Sequence, residues 1–134
     1  MRLYLVSTRY SMGIQAGIQA MHAIPELYEK FLNTNVWDPC FLATLREWAQ
    51  KHKTIMHLRT FGGNDSVEQG YQSVADAARD LKLPFALFRE PELRNTATSF
   101  AVVVPTSYYE TPTEELEGSM KDLYDTLSKY PFAS

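Results

Sequence analysis

A chain of 134 residues, 45% apolar and 22% charged, supports one domain with a real core and excludes low-complexity or repeat architectures. Its net charge of −3 and isoelectric point near 5.6 exclude bulk electrostatic capture of nucleic acid, leaving a local basic patch as the only route to such a partner. The single cysteine, Cys40, excludes an internal disulfide, and no Cys/His spacing resembles a zinc site, so neither metal nor cofactor is expected.

The opening Met1-Arg2-Leu3-Tyr4-Leu5-Val6 is too short and leads too soon into polar residues to be a signal peptide or a span. The expected setting is therefore the cytoplasm, without a membrane partner. Leu3 to Ser7 reads as the first strand, ending at Thr8-Arg9-Tyr10-Ser11. Gly13 opens a helix with Ile14, Ile18 and Met21 at helical spacing. Pro25 is expected to kink it or restart it as a second helix through Leu32. Asp38-Pro39 has the form of an N-cap and first-turn pair, starting a helix that turns Leu42, Leu45, Trp48 and Ala49 inward, with Cys40 as buried filler.

Lys53 to Thr60 is the second strand, followed by the turn Phe61-Gly62-Gly63-Asn64. The next helix carries Val67, Tyr71, Val74, Ala78 and Leu81 as an apolar stripe, with Asp65 and Glu68 as a capping-box start. Two apolar runs, Leu83 to Phe88 and Phe100 to Val104, then read as buried strands. They bracket the polar segment Arg89-Glu90-Pro91-Glu92-Leu93-Arg94-Asn95-Thr96-Ala97-Thr98-Ser99. A last helix opens at Thr111-Pro112 and carries Leu116, Met120, Leu123 and Leu127. Strands separated by helices imply an α/β fold with a mainly parallel sheet covered on both faces. The link between the last two strands is too short for a parallel crossover, so the final strand should run antiparallel.

In such sheets ligands bind beyond the carboxyl ends of the parallel strands. Three strands here lead into an arginine: Arg9, Arg59 and Arg89. Together they would suit bidentate grip on phosphate or carboxylate; alternatively each is a surface residue paired with a nearby acid. Gln15, Gln19 and His22 share one face of the first helix and could enter the same crevice, although His22 also fits a half-buried structural role. His52 and His57 have no catalytic partner by spacing. Gly62-Gly63-Asn64-Asp65 lacks a phosphate-loop fingerprint and reads as a turn. Trp37, Tyr108 and Tyr109 suit either base stacking or covering of core edges.

Two of these segments resemble a known family. Met12-Gly13-Ile14-Gln15-Ala16-Gly17-Ile18-Gln19-Ala20-Met21-His22-Ala23 resembles the strand-to-helix segment of type 2 peptidyl-tRNA hydrolases, which runs Met-Gly, a Gly/Lys-rich stretch, then Ala-Gln-x-x-His-Ala. Arg89-Glu90 with Asn95 and Thr98 resembles the family's Arg-Asp-Ala-Gly loop and the Thr leading into its last strand. The pattern Phe-Arg-Glu-Pro-x-Leu-x-Asn-x-x-Thr is similar to a divergent bacterial and phage branch. The resemblance spans roughly residues 1 to 105. It implies a three-layer α/β/α sandwich around a four-stranded mixed sheet with the last strand antiparallel, and metal-independent hydrolysis of the ester in peptidyl-tRNA or a related aminoacyl ester. Glu90 would be the base or water-orienting carboxylate and Thr98 and Asn95 the positioners. Gln15, Gln19 and His22 would line the pocket, with Arg9, Arg59 and Arg89 on phosphate.

The chain departs from that pattern in two places. The family's lysine before the first helix falls on Gln15 or a gap, since no lysine precedes Lys30, and its aspartate is replaced by Glu90 in a shortened loop without the glycine. These departures motivate an alternative: a non-catalytic binder that sequesters a small nucleotide or other phosphorylated signalling ligand, as a phage protein would. An interaction module using an exposed helix face, and a homodimer, also remain open at this level.

Overall fold

The computed structural model describes residues 1–8, 14–61 and 64–133, with the side chains of all of these except 14–16, 64 and 65. Strand β1 (Arg2–Ser7) is followed by helices α1 (Ile14–Met21), α2 (Ala23–Phe31) and α3 (Pro39–Glu47), the last extended by a π-helical turn over Trp48–His52. Strand β2 (Ile55–Arg59) and helix α4 (Asn64–Leu81) come next. Strands β3 (Phe85–Glu90) and β4 (Thr96–Val104) form a hairpin across a 3₁₀ turn at Pro91–Leu93. Helices α5 (Thr106–Glu110) and α6 (Gly118–Leu127) complete the chain, with a second 3₁₀ turn at Thr113–Glu115 between them.

The sheet order is β2-β1-β4-β3. β1 and β2 are parallel, and β4 runs antiparallel to both β1 and β3, so β1, β2 and β3 share one direction. This is the mixed four-stranded α/β sheet expected from the sequence, with β4 as the reversed strand. β4 lies between two strands, and every residue from Ala97 to Val104 is buried, which is why its run Phe100 to Val104 is apolar without alternation. α1 and α2 pack on one face. α4 and α6 pack on the other, where Tyr71 meets Phe100 at 5.9 Å between ring centroids.

The β2 edge is covered, and the β3 edge carries a lysine. The last described residues lie along β2: Arg59 N–H donates to the Pro131 carbonyl, Ala133 N–H donates to the His57 carbonyl, and Leu58 bridges to Phe132. Along β3, Lys30 Nζ donates to the outward carbonyl of Phe85 at 3.0 Å. Open edges invite strand pairing with other chains, and a lysine or a covering segment blocks it. Among the described residues no helix is long and apolar enough to cross a membrane.

Several local expectations are corrected. The break between the first two helices falls at His22, not Pro25. Pro25 instead sits in the first turn of α2, where its missing N–H has no intrahelical partner to lose. Asp38 does cap α3, accepting from Cys40 N–H at 2.9 Å, but that places Cys40 on the exposed first turn rather than in the core. The last helix starts at Gly118 (φ +58°) instead of Thr111-Pro112, because the Thr113–Glu115 turn carries Leu116 down into a buried position first. The short α5 had no signal beyond Pro105 at its start.

One glycine is set by close approach. A Cβ on Gly70 would overlap the Tyr130 hydroxyl and lie 3.3 Å from Tyr130 Cζ. Gly70→Ala is therefore expected to destabilise the protein by about 1 kcal/mol through overpacking. In a Tyr130→Phe background the cost should shrink, since the hydroxyl overlap is gone and only the approach to Cζ still opposes the helix-propensity gain of alanine, about 1 kcal/mol. Urea unfolding of the four proteins checks this; a Gly70→Ala effect that ignores the Tyr130 background would rule the contact out.

Candidate functional site

Buried polar side chains concentrate at one end of the sheet. Ser7, Thr8, Thr60, Thr98 and Ser99 are the buried polar residues among those described, and they sit at the carboxyl ends of β1 and β2 and the start of β4. A buried hydroxyl is costly without a hydrogen bond, so their partners decide what this end of the molecule is for.

The β3–β4 pairing shifts register between Phe88, opposite Ser99, and Arg89, opposite Ala97. Thr98 is the extra residue of that bulge. In an unbroken strand Thr98 and Ser99 would point to opposite faces. Here both reach the same residue of α1: Thr98 Oγ1 donates to Gln19 Oε1 at 3.1 Å, and Ser99 Oγ donates to the Gln19 carbonyl at 2.7 Å. Helix α1 ends two residues later, and Ser99 thus serves one of the carbonyls of its last turn. The Thr98 carbonyl in turn accepts from Thr8 N–H at 3.0 Å, carrying the β1–β4 pairing past Ser7.

On the same face lie the last residues of β3. Phe88 packs edge-on against the exposed imidazole of His22, with centroids 4.7 Å apart. Glu90 is half-buried and stands opposite Thr96, two positions along β4 from Thr98, or about 7 Å at the rise of a strand. Its Oε1 accepts from Glu92 N–H at 3.2 Å, and its carbonyl accepts from Asn95 N–H at 2.9 Å. The carboxylate is thereby held in place by the turn it caps. Arg94 and Asn95 close that turn with φ of 58° and 60°, a conformation asparagine tolerates better than most residues. Asn95 is exposed.

Arg59 and Arg89 do not gather as a shared crevice would need. Arg59 ends β2 at one edge of the sheet and Arg89 lies in β3 at the other, three strand spacings away or about 14 Å. They also face opposite sides. Arg59 is in register with Ser7, on the α1 face, whereas Arg89 pairs with Glu68 of α4 and donates to the Asn95 carbonyl at 3.3 Å. Two-residue alternation along each strand set these directions, and the sheet order that separates them is not encoded locally. Arg9 and the Gly62-Gly63 turn lie outside the described residues, as does the side chain of Gln15.

One pair was invisible to spacing. Ser7 Oγ and His57 Nε2 are 2.9 Å apart, joining neighbouring strands whose register no sequence signal reveals. Ser7 has no exposed surface, so the pair is a strut within the sheet and not a nucleophile with its base. Burial lowers the His57 pKa below its usual 6.5, favouring the neutral ring. Because the folded state then binds fewer protons than the unfolded one, the stability tied to His57 is complete above pH 6.5 and is lost as pH falls below it. Urea titrations between about pH 7.5 and 5 should show stability falling with acidification, and His57→Gln should flatten that fall. An unchanged slope in the variant would overturn the assignment.

Trp37 and Tyr108 cover core edges: Trp37 packs on Phe31, Phe41 and Phe85, and Tyr108 on Tyr4 and Tyr124. His52 Nδ1 lies 3.4 Å from the amino terminus, away from the polar end. Among the described residues no group of three His, Cys, Asp or Glu side chains could hold a metal ion. No protein-family model matches this chain, and a search of the curated proteins returns no match.

Proposed function

We propose that this protein is a divergent member of the type 2 peptidyl-tRNA hydrolase group that cleaves the ester of peptidyl-tRNA, or of a related aminoacyl ester, at the polar end of its sheet. The observation that carries this reading is the placing of the Glu90 carboxylate and the Thr98 hydroxyl on one face of a bulged hairpin, with the Gln19 amide of α1 bonded to Thr98. The two sequence segments that resemble the family supply exactly these three groups, and the mixed sheet agrees with the fold that the resemblance implies. Ester hydrolysis needs a positioned water and relief of charge on the developing oxyanion. In this reading Glu90, fixed through one oxygen by Glu92 N–H, uses its remaining lone pairs to draw a proton from water. Thr98 and Asn95 orient that water, Gln15, Gln19 and His22 line the acyl or ribose side, and Arg9 and Arg59 meet phosphate. Arg89 steadies the Asn95 turn while joined to Glu68.

A second reading is favoured by a separate observation. Glu90, Thr98 and Gln19 all have intramolecular partners already, and glutamine stands where the family has its lysine. A site that retains polar groups without a charged oxyanion donor suits binding of a small nucleotide or other phosphorylated ligand without turnover. Single-turnover cleavage of peptidyl-tRNA separates the two. Cleavage by the wild type that Glu90→Gln abolishes supports the hydrolase. Absence of cleavage, with calorimetric binding of a nucleotide that Arg9→Ala weakens, supports the binder and overturns the first reading.

A further inference from the structure

Away from the polar end, Lys30 occupies an unusual setting at the free edge of β3. Its Nζ lies 3.5 Å from the centroid of the Phe85 ring, 5.0 Å from that of Trp37 and 5.2 Å from that of Phe31. It donates to the Phe85 carbonyl at 3.0 Å and to the Tyr71 hydroxyl at 3.3 Å. Among the described residues no carboxylate forms an ion pair with it. The amine opens onto a groove of about 450 Å³ whose lining includes Glu26, Glu29, Tyr71, Leu87 and Arg89.

A structural lysine on an aromatic ring keeps its charge by keeping water or an acid nearby. Here partial burial strips away much of the water, neither Glu26 nor Glu29 forms an ion pair with the amine, and Arg79, 5.2 Å from the same Phe85 ring, adds like charge. Burial and the like charge both lower the amine's pKa, from 10.5 to about 8. The charged and titratable groups around it are Glu26 and Glu29 from α2, Tyr71 and Arg79 from α4, and Arg89 from β3. Burial pushes the Tyr71 phenol up to about 12, so at neutral pH it remains a proton donor beside the nitrogen.

We propose that Lys30 is an amine nucleophile that forms an imine with small aldehydes entering this groove, at a site separate from the polar end and independent of the hydrolase reading. The nitrogen lone pair adds to the carbonyl carbon while the carbonyl π pair moves to oxygen. A proton passes from nitrogen to that oxygen, giving a carbinolamine. Loss of water then leaves the C=N bond. Amine and aldehyde yield imine and water, with no change of oxidation state, and the Tyr71 hydroxyl is placed to relay the proton.

The test treats the full chain with glyoxylate and cyanoborohydride near neutral pH and maps the alkylated lysines by mass spectrometry over time. Lys30 is expected to be labelled about tenfold or more faster than exposed Lys51 and Lys53, because far more of it is unprotonated. Its rate should rise with a midpoint near pH 8. Tyr71→Phe should slow Lys30 labelling and leave the other lysines unchanged, while Lys30→Arg should remove only that label. Labelling of Lys30 no faster than Lys51, or a midpoint near that of ordinary lysines, would overturn the proposal. The wild-type profile decides this even if a variant fails to fold.

Discussion

Under the proposed hydrolase function, replacing Glu90 with glutamine is expected to slow single-turnover cleavage of peptidyl-tRNA by about 10²- to 10⁴-fold, the range that general-base assistance supplies. The substitution is informative because it separates chemistry from structure. The Glu90 side chain caps the 3₁₀ turn by accepting from Glu92 N–H, and an amide oxygen at the same position can accept that bond equally well. The turn, the bulge and the Asn95 bond to the Glu90 carbonyl should therefore survive, and a loss in rate at unchanged melting temperature reports the missing base. Thr98→Val behaves differently. Thr98 is 2% exposed and its hydroxyl donates to Gln19 Oε1, so the variant leaves a polar atom without its donor and should cost about 1–3 kcal/mol of stability alongside any catalytic effect. Glu90→Gln protein that cleaves at the wild-type rate would remove Glu90 from the mechanism.

Phe85→Ala is expected to be the most damaging single substitution for stability, at about 3–5 kcal/mol. The ring is fully buried at the centre of an aromatic group, with Phe31, Trp37, Tyr71 and Phe41 at centroid distances of 5.8, 5.9, 6.1 and 6.4 Å. These neighbours come from α2, the α2–α3 connection, α3 and α4, so the cavity would open where elements from both sides of the sheet meet around the β3 edge. Against a typical domain stability of about 5–15 kcal/mol, this loss is a large share of the whole. Val36→Ala, at a position 71% exposed, should stay within about 0.5 kcal/mol. Guanidinium titrations of the two variants make the comparison; similar midpoints would mean that the aromatic group is not the keystone of this packing.

Much of the fold was legible because it depends on local pattern. The apolar runs marked the strands, and the short link before β4 fixed its reversed direction by simple reach. Of the stripe Val67, Tyr71, Val74, Ala78 and Leu81, the spacing predicts burial and Val67, Val74 and Ala78 are buried, while Tyr71 and Leu81 are half-buried against the core. What escaped depends on register and sheet order. The Ser7–His57 pair needs the register Leu5 to His57, and the separation of Arg59 from Arg89 needs to know which strands occupy the edges. Pro25 misled because the same residue breaks a helix interior and suits a first turn. For Cys40 the error came from weighing average burial of the residue type above its place in the first turn. The polar segment around Glu90 proved partly strand: β3 runs through Glu90 and β4 begins at Thr96, leaving 91–95 as the connection. The bulge at Thr98 had no signature in the sequence, yet it turns two hydroxyls to one helix.

The segment Pro131–Ala133 along β2 has a consequence for association. A second molecule seeking to add a strand at that edge must displace a segment already tethered beside it. For short flexible tethers the local concentration is of millimolar order, so an untethered competitor at micromolar concentration faces a deficit of about a thousandfold before any difference in contacts is counted. Assembly of this protein by strand addition at β2 is thus suppressed from within the same chain.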